Sequence, residues 1–298
     1  MLSIKFKLDT AELFVPDGLP AGQALARTTH LAIGAHQDDL EIMAIDGILQ
    51  CFQLEDRWFT GVVVTNGSGS PRNGLYRDFS DEAMRAVRAR EQKKAAVIGE
   101  YAAQVLLDYP SPAVKDSSNQ APAADIAQLL AAARPHTVYT HSLADKHATH
   151  VAVALRVIQA IQSLPKAERP QRLYGCEVWR DLDWMVDGDK IAFDCSAHKN
   201  LQAALLGVFD SQVSGGKRYD LATMGRRRAN ATYHASHGTD TTTGLAFAMD
   251  LTPLAEHPAN SGIIEEPKRD IQAYLQEFVN RFAQEMHQRL ERLGAGRE

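Results

Sequence analysis

Several things are missing from this sequence, and each absence excludes a class of protein. No stretch approaches the roughly 20 apolar residues that a membrane helix needs, so no membrane span is expected. The N-terminus, MLSIKFKLDTAELF, has charges where a secretory signal would carry its apolar segment, which favours a cytoplasmic location. Only three cysteines occur, Cys51, Cys176 and Cys195. They are odd in number and far apart, so neither a disulfide framework nor a CxxC metal knuckle is expected. Basic charge is not in excess: 32 Lys and Arg face 37 Asp and Glu, for a net charge of −5. A global positive field for nucleic acid is therefore excluded. The glycine-rich stretch 66–74 contains neither GxGxxG nor GxxxxGK[ST], so a nucleotide fingerprint is absent too. There is no internal repeat and no low-complexity tract.

What remains is an ordinary globular composition, 45% hydrophobic and 23% charged over 298 residues. That is enough chain for one large α/β domain, or for one domain with an appended subdomain. An edge strand is expected at Ile4, Phe6 and Leu8, then a linker rich in Pro and Gly. Strong strands are predicted at 30–35, 58–65, 105–107 and 137–140. Helices are predicted from Asp39 to about Leu54, from the Ser80 cap to about Tyr101, over 122–133 and from about His147 to Leu164. Residues 66–74 and 110–121 read as loops. Further strands are expected at 173–179 and 190–193, and a helix at 198–208. An unpatterned stretch covers 211–245, and an amphipathic helix covers about 267–294, which allows for a homo-oligomer. Strands alternating with helices predict a parallel, doubly wound sheet with right-handed crossovers.

The richest spot is Gly34-Ala35-His36-Gln37-Asp38-Asp39-Leu40-Glu41. It follows the first strong strand and opens a helix, and ligands in such sheets bind at the carboxyl ends of strands. Asp38 or Asp39 can cap that helix, and Glu41 suits its positive first turn. His147 and His150 lie at the carboxyl end of the fourth strong strand. Their spacing puts both on one face of a helix start. The first and fourth strands are expected to be neighbours at the switch point. A catalytic zinc takes three protein ligands and keeps one open position. Four histidine and aspartate groups therefore exceed the need, and one histidine is left for another task. Asp38 suits a general base and Asp39 a ligand.

At this point the residues resemble a family. Ala35 to Glu41 resembles the AHPDDxE signature of the PIG-L/LmbE-like zinc deacetylases, and Asp145 to His150 resembles their HPDH signature. Ser68 to Gly74 and Ser211-Gln212 resemble weaker motifs. The resemblance covers roughly residues 30 to 215 and implies a Rossmann-like (LmbE-like) parallel sheet flanked by helices, with a C-terminal α/β elaboration. It implies His36, Asp39 and His150 as metal ligands for Zn2+, one per chain, or another divalent ion. It implies Asp38 as the general base, His147 as the group that stabilises the intermediate and helps the amine depart, and Arg72 as a substrate contact. The implied reaction removes an N-acetyl group from a small-molecule N-acetylated sugar or its conjugate. The rivals are a metal-dependent amidase or esterase on a non-sugar substrate, and a non-catalytic binding protein on the same scaffold. Two positions depart from the pattern. Gln37 replaces the usual proline, and Thr149 replaces the aspartate beside the catalytic histidine, for which Asp145 or Asp46 is a substitute.

One domain is expected over 1–298, with a core at about 28–215 and an extension at about 216–298. Arg85, Arg88 and Arg90, with Glu82 and Glu91, read as a solvated helix face. Arg226-Arg227-Arg228 reads as a surface turn. His234 and His237 are weak candidates for a second metal site, and His141 for support of the first. Trp179, Trp184 and Tyr174 read as core before they read as sugar platforms.

Overall fold

The computed structural model describes residues 4–256 and 265–294. Eight strands form one sheet: β1 Glu12–Phe14, β2 His30–Gly34, β3 Phe59–Thr65, β4 Ala103–Tyr109, β5 Thr137–His141, β6 Arg172–Cys176, β7 Ile191–Asp194 and β8 Leu245–Asp250. Their order is β1-β4-β3-β2-β5-β6-β8-β7. The five central strands are parallel. The edges depart from the all-parallel expectation: β1 runs antiparallel to β4, and β8 runs antiparallel to both β6 and β7. Successive strands step outward from β2 to β4 on one side and from β5 to β6 on the other. The first and fourth strong strands of the sequence, β2 and β5, thus pair at the point where the order reverses, where a crevice opens.

The central strands read as apolar runs because both faces are covered. Leu31, Ile33, Val62, Val64 and Val138 face a layer that includes helices Ala121–Ala133 and Ala148–Ser163. Ala32, Val63 and Tyr139 face the other side, with helices Asp39–Met43, Ile45–Cys51 and Lys199–Gly207. That alternation is the two-residue period of a strand. Ser80 accepts from Ala83 N at 3.1 Å and caps helix Asp81–Ile98 as expected. Residues 110–121 contain a short helix, Ser111–Lys115. The edge strand is Glu12–Phe14, while Ile4, Phe6 and Leu8 pack on the core without joining the sheet. The C-terminal helix is Glu265–Gly294.

Two regions were misread from the pattern, for one reason. The unpatterned stretch 211–245 contains helix Tyr219–Tyr233, whose buried positions are Thr223, Arg227, Asn230 and Ala231. Helix Asp81–Ile98 buries Arg88, Glu91 and Gln92 where a solvated face was expected. Polar residues on a buried face erase the periodicity that marks a helix. Their partners come from distant segments. Arg227 donates to Gln202 Oε1 at 2.8 Å and to the carbonyls of Glu41 and Ile42 at 2.8 and 3.1 Å. This guanidinium takes carbonyls that would otherwise continue the helical ladder, and the helix expected over 39–54 breaks at Ala44.

Arg227→Met should lower the melting temperature by about 5–10 °C in a thermal scan. The change removes a costly buried charge, but three buried oxygens lose their donor at about 1 kcal/mol or more each. An unchanged melting point would show that these bonds contribute nothing net.

His30 begins β2, against Thr29 Oγ1 at 2.9 Å and Cys51 Sγ at 3.3 Å. Burial, with Arg57 and His136 nearby, lowers its pKa from 6.5 to about 4. The unfolded chain therefore binds the proton first, and stability falls as pH drops from about 6.5 toward 4. At about 1.4 kcal/mol per tenfold change, His30 accounts for about 3 kcal/mol of that loss by pH 4. Urea unfolding of His30→Gln at pH 7 and pH 4 should show a correspondingly smaller acid loss than the parent chain.

Candidate active site

β2 ends at Gly34, and the chain turns sharply through His36, Gln37 and Asp38 into helix Asp39–Met43. The turn is held on all sides. Ala35 N donates to His141 Nε2 at 2.8 Å, and Ala35 O accepts from Thr65 N and Oγ1 at 2.9 and 2.8 Å. Gln37, in place of proline, donates its amide to Thr65 O at 3.2 Å, and its own carbonyl accepts from Arg88. Rigidity that a ring would supply comes here from hydrogen bonds. Gly67 at φ +68 lies against the Gln37 amide, so a side chain there would be strained as well as obstructed.

Asp38 sits at φ 93, a left-handed conformation that costs energy for any residue with a Cβ. Its side chain makes no cap; instead Oδ2 lies 3.4 Å from Arg88 Nη2, and its backbone N donates to Gln92 Oε1 at 3.2 Å. Burial pushes its carboxyl up to about 7, against the pull of Arg88 and with a further push from Asp39. Arg88 also donates to Ser70 Oγ. It is the guanidinium that reaches the turn. Arg72 is bonded elsewhere, to Phe79 O at 2.9 Å, to Ser68 O and to Asp81.

Asp39 faces the other way. Its Oδ2 accepts from His36 N at 2.6 Å and lies 3.3 Å from His36 Nδ1 and 3.5 Å from His150 Nε2. Those two ring nitrogens are 3.2 Å apart. Burial would raise the Asp39 pKa, but His150 and His141 outweigh it and hold the carboxylate well below its usual range. His150 gains the opposite shift: burial is overcome by Asp39 and by Asp145, and its pKa rises. His141 stacks on the His150 ring at 3.9 Å. Its Nε2 accepts from Ala35 N–H and lies 3.3 Å from Asp39 Oδ2, so His141 braces the ligand carboxylate from the end of β5.

His147 is the residue before helix Ala148–Ser163, and His150 lies in its first turn. Asp145 organises both. One carboxylate oxygen accepts from His147 N at 2.8 Å; the other accepts from Trp179 N at 3.0 Å and lies 3.5 Å from His150 Nδ1. Asp46 is engaged with Tyr139 OH at 2.7 Å and Gln50, away from the site. Asp145, not Asp46, therefore supplies the neighbouring carboxylate, and it serves His150 and not the His147 ring. Burial, with His150 and His36 nearby, lowers the His147 pKa to about 4.

Glu41, expected to serve the helix start, is fully buried instead. Its Oε1 accepts from Tyr101 OH and Gln92 Nε2, both at 2.8 Å, and burial pushes its pKa to about 8. Glu91 accepts from Ser211 N and Oγ at 2.7 and 2.6 Å, anchoring the Ser211-Gln212 motif to the same helix as Arg88. Sequence reading missed Arg88, Gln92 and Arg227. Their signal was a charged or polar residue at a helix-core position, which looks the same as a solvated face.

The groups converge at the floor of a cleft of about 550 Å³. Its walls are the Asn66–Pro71 loop, the Pro110–Lys115 segment, His147 and Thr149, and, from the C-terminal half, Trp179, Gln212, Lys217 and Tyr219. Among the described residues, His36, Asp39 and His150 are the group of three that could hold a metal ion. His234 instead lies against the Phe247 ring at 5.6 Å, and His237 is exposed. The three cysteines are buried and unpaired, and among the described residues no helix is long and apolar enough to cross a membrane.

Solved structures share this architecture. The conserved protein TT1542 from Thermus thermophilus matches at a TM-score of 0.57 and 19% identity, over 75% of this chain and 94% of that one. GalB, the 4-carboxy-2-hydroxymuconate hydratase of Pseudomonas putida KT2440, matches at 0.56 and 14%, over 80% and 99%. The N,N'-diacetylchitobiose deacetylase of Pyrococcus horikoshii matches at 0.53 and 15%, over 74% and 83%. At these identities the likeness is one of fold. No curated protein sequence matches the chain. Residues 31–161, which carry both halves of the cluster, match the model of the PIG-L family, described as GlcNAc-PI de-N-acetylase.

Proposed function

We propose that this chain is a zinc-dependent hydrolase that removes the N-acetyl group from an N-acetylated amino sugar or its conjugate. The observation that carries the reading is the spacing of the three candidate ligand atoms. They lie 3.2, 3.3 and 3.5 Å apart. Tetrahedral zinc with bonds near 2.0–2.1 Å needs its ligands about 3.3–3.4 Å apart. A carboxylate behind one ligand histidine, here Asp145 behind His150, is the usual support for a metal-binding imidazole. The donor set therefore fits zinc, with His36, Asp39 and His150 holding it. When bound there, such an ion supplies a Lewis acid that brings the pKa of water toward about 7 and polarises an acyl carbonyl.

The chain's own residues supply the rest. Asp38, beside the cluster and tuned toward neutrality, accepts a proton from the attacking water. The acetyl carbon becomes tetrahedral, and a His147 N–H stabilises the developing oxyanion. The C–N bond then breaks as Asp38 passes its proton to the amine nitrogen, releasing acetate and the free amine. Arg72 enters as a residue that ties the 66–74 loop to the start of the next helix, bonded as it is to Ser68 O within the loop and to Phe79 O and Asp81 beyond it. The three buried, unpaired cysteines support a reducing, cytoplasmic setting.

The fold alone does not choose this reaction, since a hydratase shares it. The family described by the 31–161 match and the acid–base pair in the cleft favour amide hydrolysis. Incubation with N-acetylglucosamine conjugates and with simple acetyl esters, scored for free amine and acetate, tests it. Amine release from the sugar substrates is expected. Ester turnover without amine release would move the assignment to an esterase, and no turnover by zinc-loaded protein would sink it.

A further inference from the structure

A second cavity, of about 250 Å³, adjoins the cleft. The two share Ile42, Val178, Trp179, Lys217 and Tyr219, so these side chains stand between them and line both. The second chamber lies on the side away from Lys115 and the Asn66–Pro71 loop and is lined in addition by Arg218, Arg226, Arg227 and Glu177.

The charged groups around this chamber differ in how fully they are engaged. Glu177 is buried and bonded to Asn230 Nδ2 at 2.7 Å, Phe247 N at 3.1 Å and Leu182 N at 3.1 Å. Arg227 is spent on carbonyls, as described above. Arg226 donates to Val178 O, and Arg218 is paired with Asp220 at 2.9 and 2.7 Å. Lys217 has no carboxylate within 4 Å among the described residues; its ammonium sits 4.9 Å over the Trp179 ring. Lys115, also without an ion-pair partner there, lines the catalytic cleft alone. Lys217 is thus the unpaired cation common to both chambers. A lysine held by an aromatic face keeps its charge and its three donors available.

We propose that Lys217 is a specificity-determining residue, and that the second chamber takes an oxyanion carried by the substrate on the part beyond its acetamido group. This rests on the deacetylase reading and deepens it. Among its lining residues the chamber has one carboxylate, Glu177, held by three N–H donors, against Lys217, Arg218, Arg226 and Arg227, so an entering anion meets an excess of positive charge. A neutral sugar fills the same space without that attraction. Because Lys217 is half-exposed, the gain is modest and depends on salt.

The test compares N-acetylglucosamine with its 6-phosphate and 1-phosphate as substrates of the zinc-loaded protein, reading kcat/KM as ratios. A preference of about tenfold for at least one phosphate is expected, shrinking at 0.5 M salt. The ratio should collapse in Lys217→Met and be kept in Lys217→Arg. A ratio near one in the parent chain, or a ratio unchanged in Lys217→Met, overturns the proposal. A binding measurement separates it from the reaction assignment. Calorimetry with glucosamine 6-phosphate and 1-phosphate against glucosamine should show the same tenfold difference and the same loss in Lys217→Met. Discrimination in binding without turnover refutes the deacetylase reading and leaves this one standing. Turnover without discrimination does the reverse.

Discussion

Asp38→Asn should reduce turnover of an N-acetylated substrate by about a thousandfold while leaving the metal content of the purified protein unchanged. The magnitude is that of a lost general base, on the order of 10²–10⁴. The substitution is clean for a structural reason. Asp38 sits at φ 93, and asparagine is among the few residues that tolerate a positive φ. The backbone turn therefore survives the change. Arg88 keeps its bonds to Gln37 O and Ser70, so the guanidinium does not lose every partner. What disappears is a carboxylate that burial has raised to about 7, the range where a group both takes and returns a proton at neutral pH. Residual activity above a tenth of the parent value, with metal bound, would remove Asp38 from the proton-transfer role.

His150→Ala should abolish both metal binding and activity, and chelation of the unaltered chain should do the same reversibly. His150 is fully buried, contacts Asp39 and His36, and is backed by Asp145. Removing its ring deletes one of three ligands and leaves two carboxylates, Asp39 and Asp145, without their shared partner. Chelation of the parent chain should drop its melting temperature, because a ligand present at 1,000 times its Kd contributes about 4 kcal/mol to the folded state. Added zinc should restore activity and melting point in the parent chain and neither in the variant. Full activity after exhaustive chelation, checked by elemental analysis, would rule out the metal.

These expectations rest on residues that the sequence showed to very different degrees. The apolar strands Ala32-Ile33 and Val62-Val63-Val64 were readable because burial on both faces leaves an uninterrupted apolar run. His36, Asp38, Asp39, His147 and His150 were readable because the site is built at two strand ends, where short spacing in sequence implies nearness in space. Arg88 and Arg227 were not. Each is a charged residue on a buried helix face, and what makes it stable there is an oxygen 51 or more than 180 residues away. Local pattern carries no information about such partners. Helix Tyr219–Tyr233 vanished from the reading for the same cause. The antiparallel β8, inserted between β6 and β7, was likewise hidden, since nothing in residues 245–250 states which edge of the sheet they will join. The role of Asp145 was half legible: its presence near the histidines was visible, but which ring it would serve depended on a helix start that only the folded chain defines.

The bond from Arg227 to the carbonyls of Glu41 and Ile42 bears on how this protein can be divided. The stretch that matches the family model stops at residue 161, and it holds His36, Asp38, Asp39, His147 and His150 of the proposed chemistry. Yet the helix that follows those aspartates is tied down from residue 227, and Trp179, Gln212 and Lys217 wall the cleft from beyond the same limit. A fragment cut where the likeness ends would carry a complete set of reactive groups on an unfinished sheet, and we expect it to aggregate. The two halves differ in what they can vary. The first is constrained by chemistry, the second by its grip on the first, and exchange of 171–250 with a relative is the recombination expected to redirect which molecules are accepted while leaving the reaction itself intact.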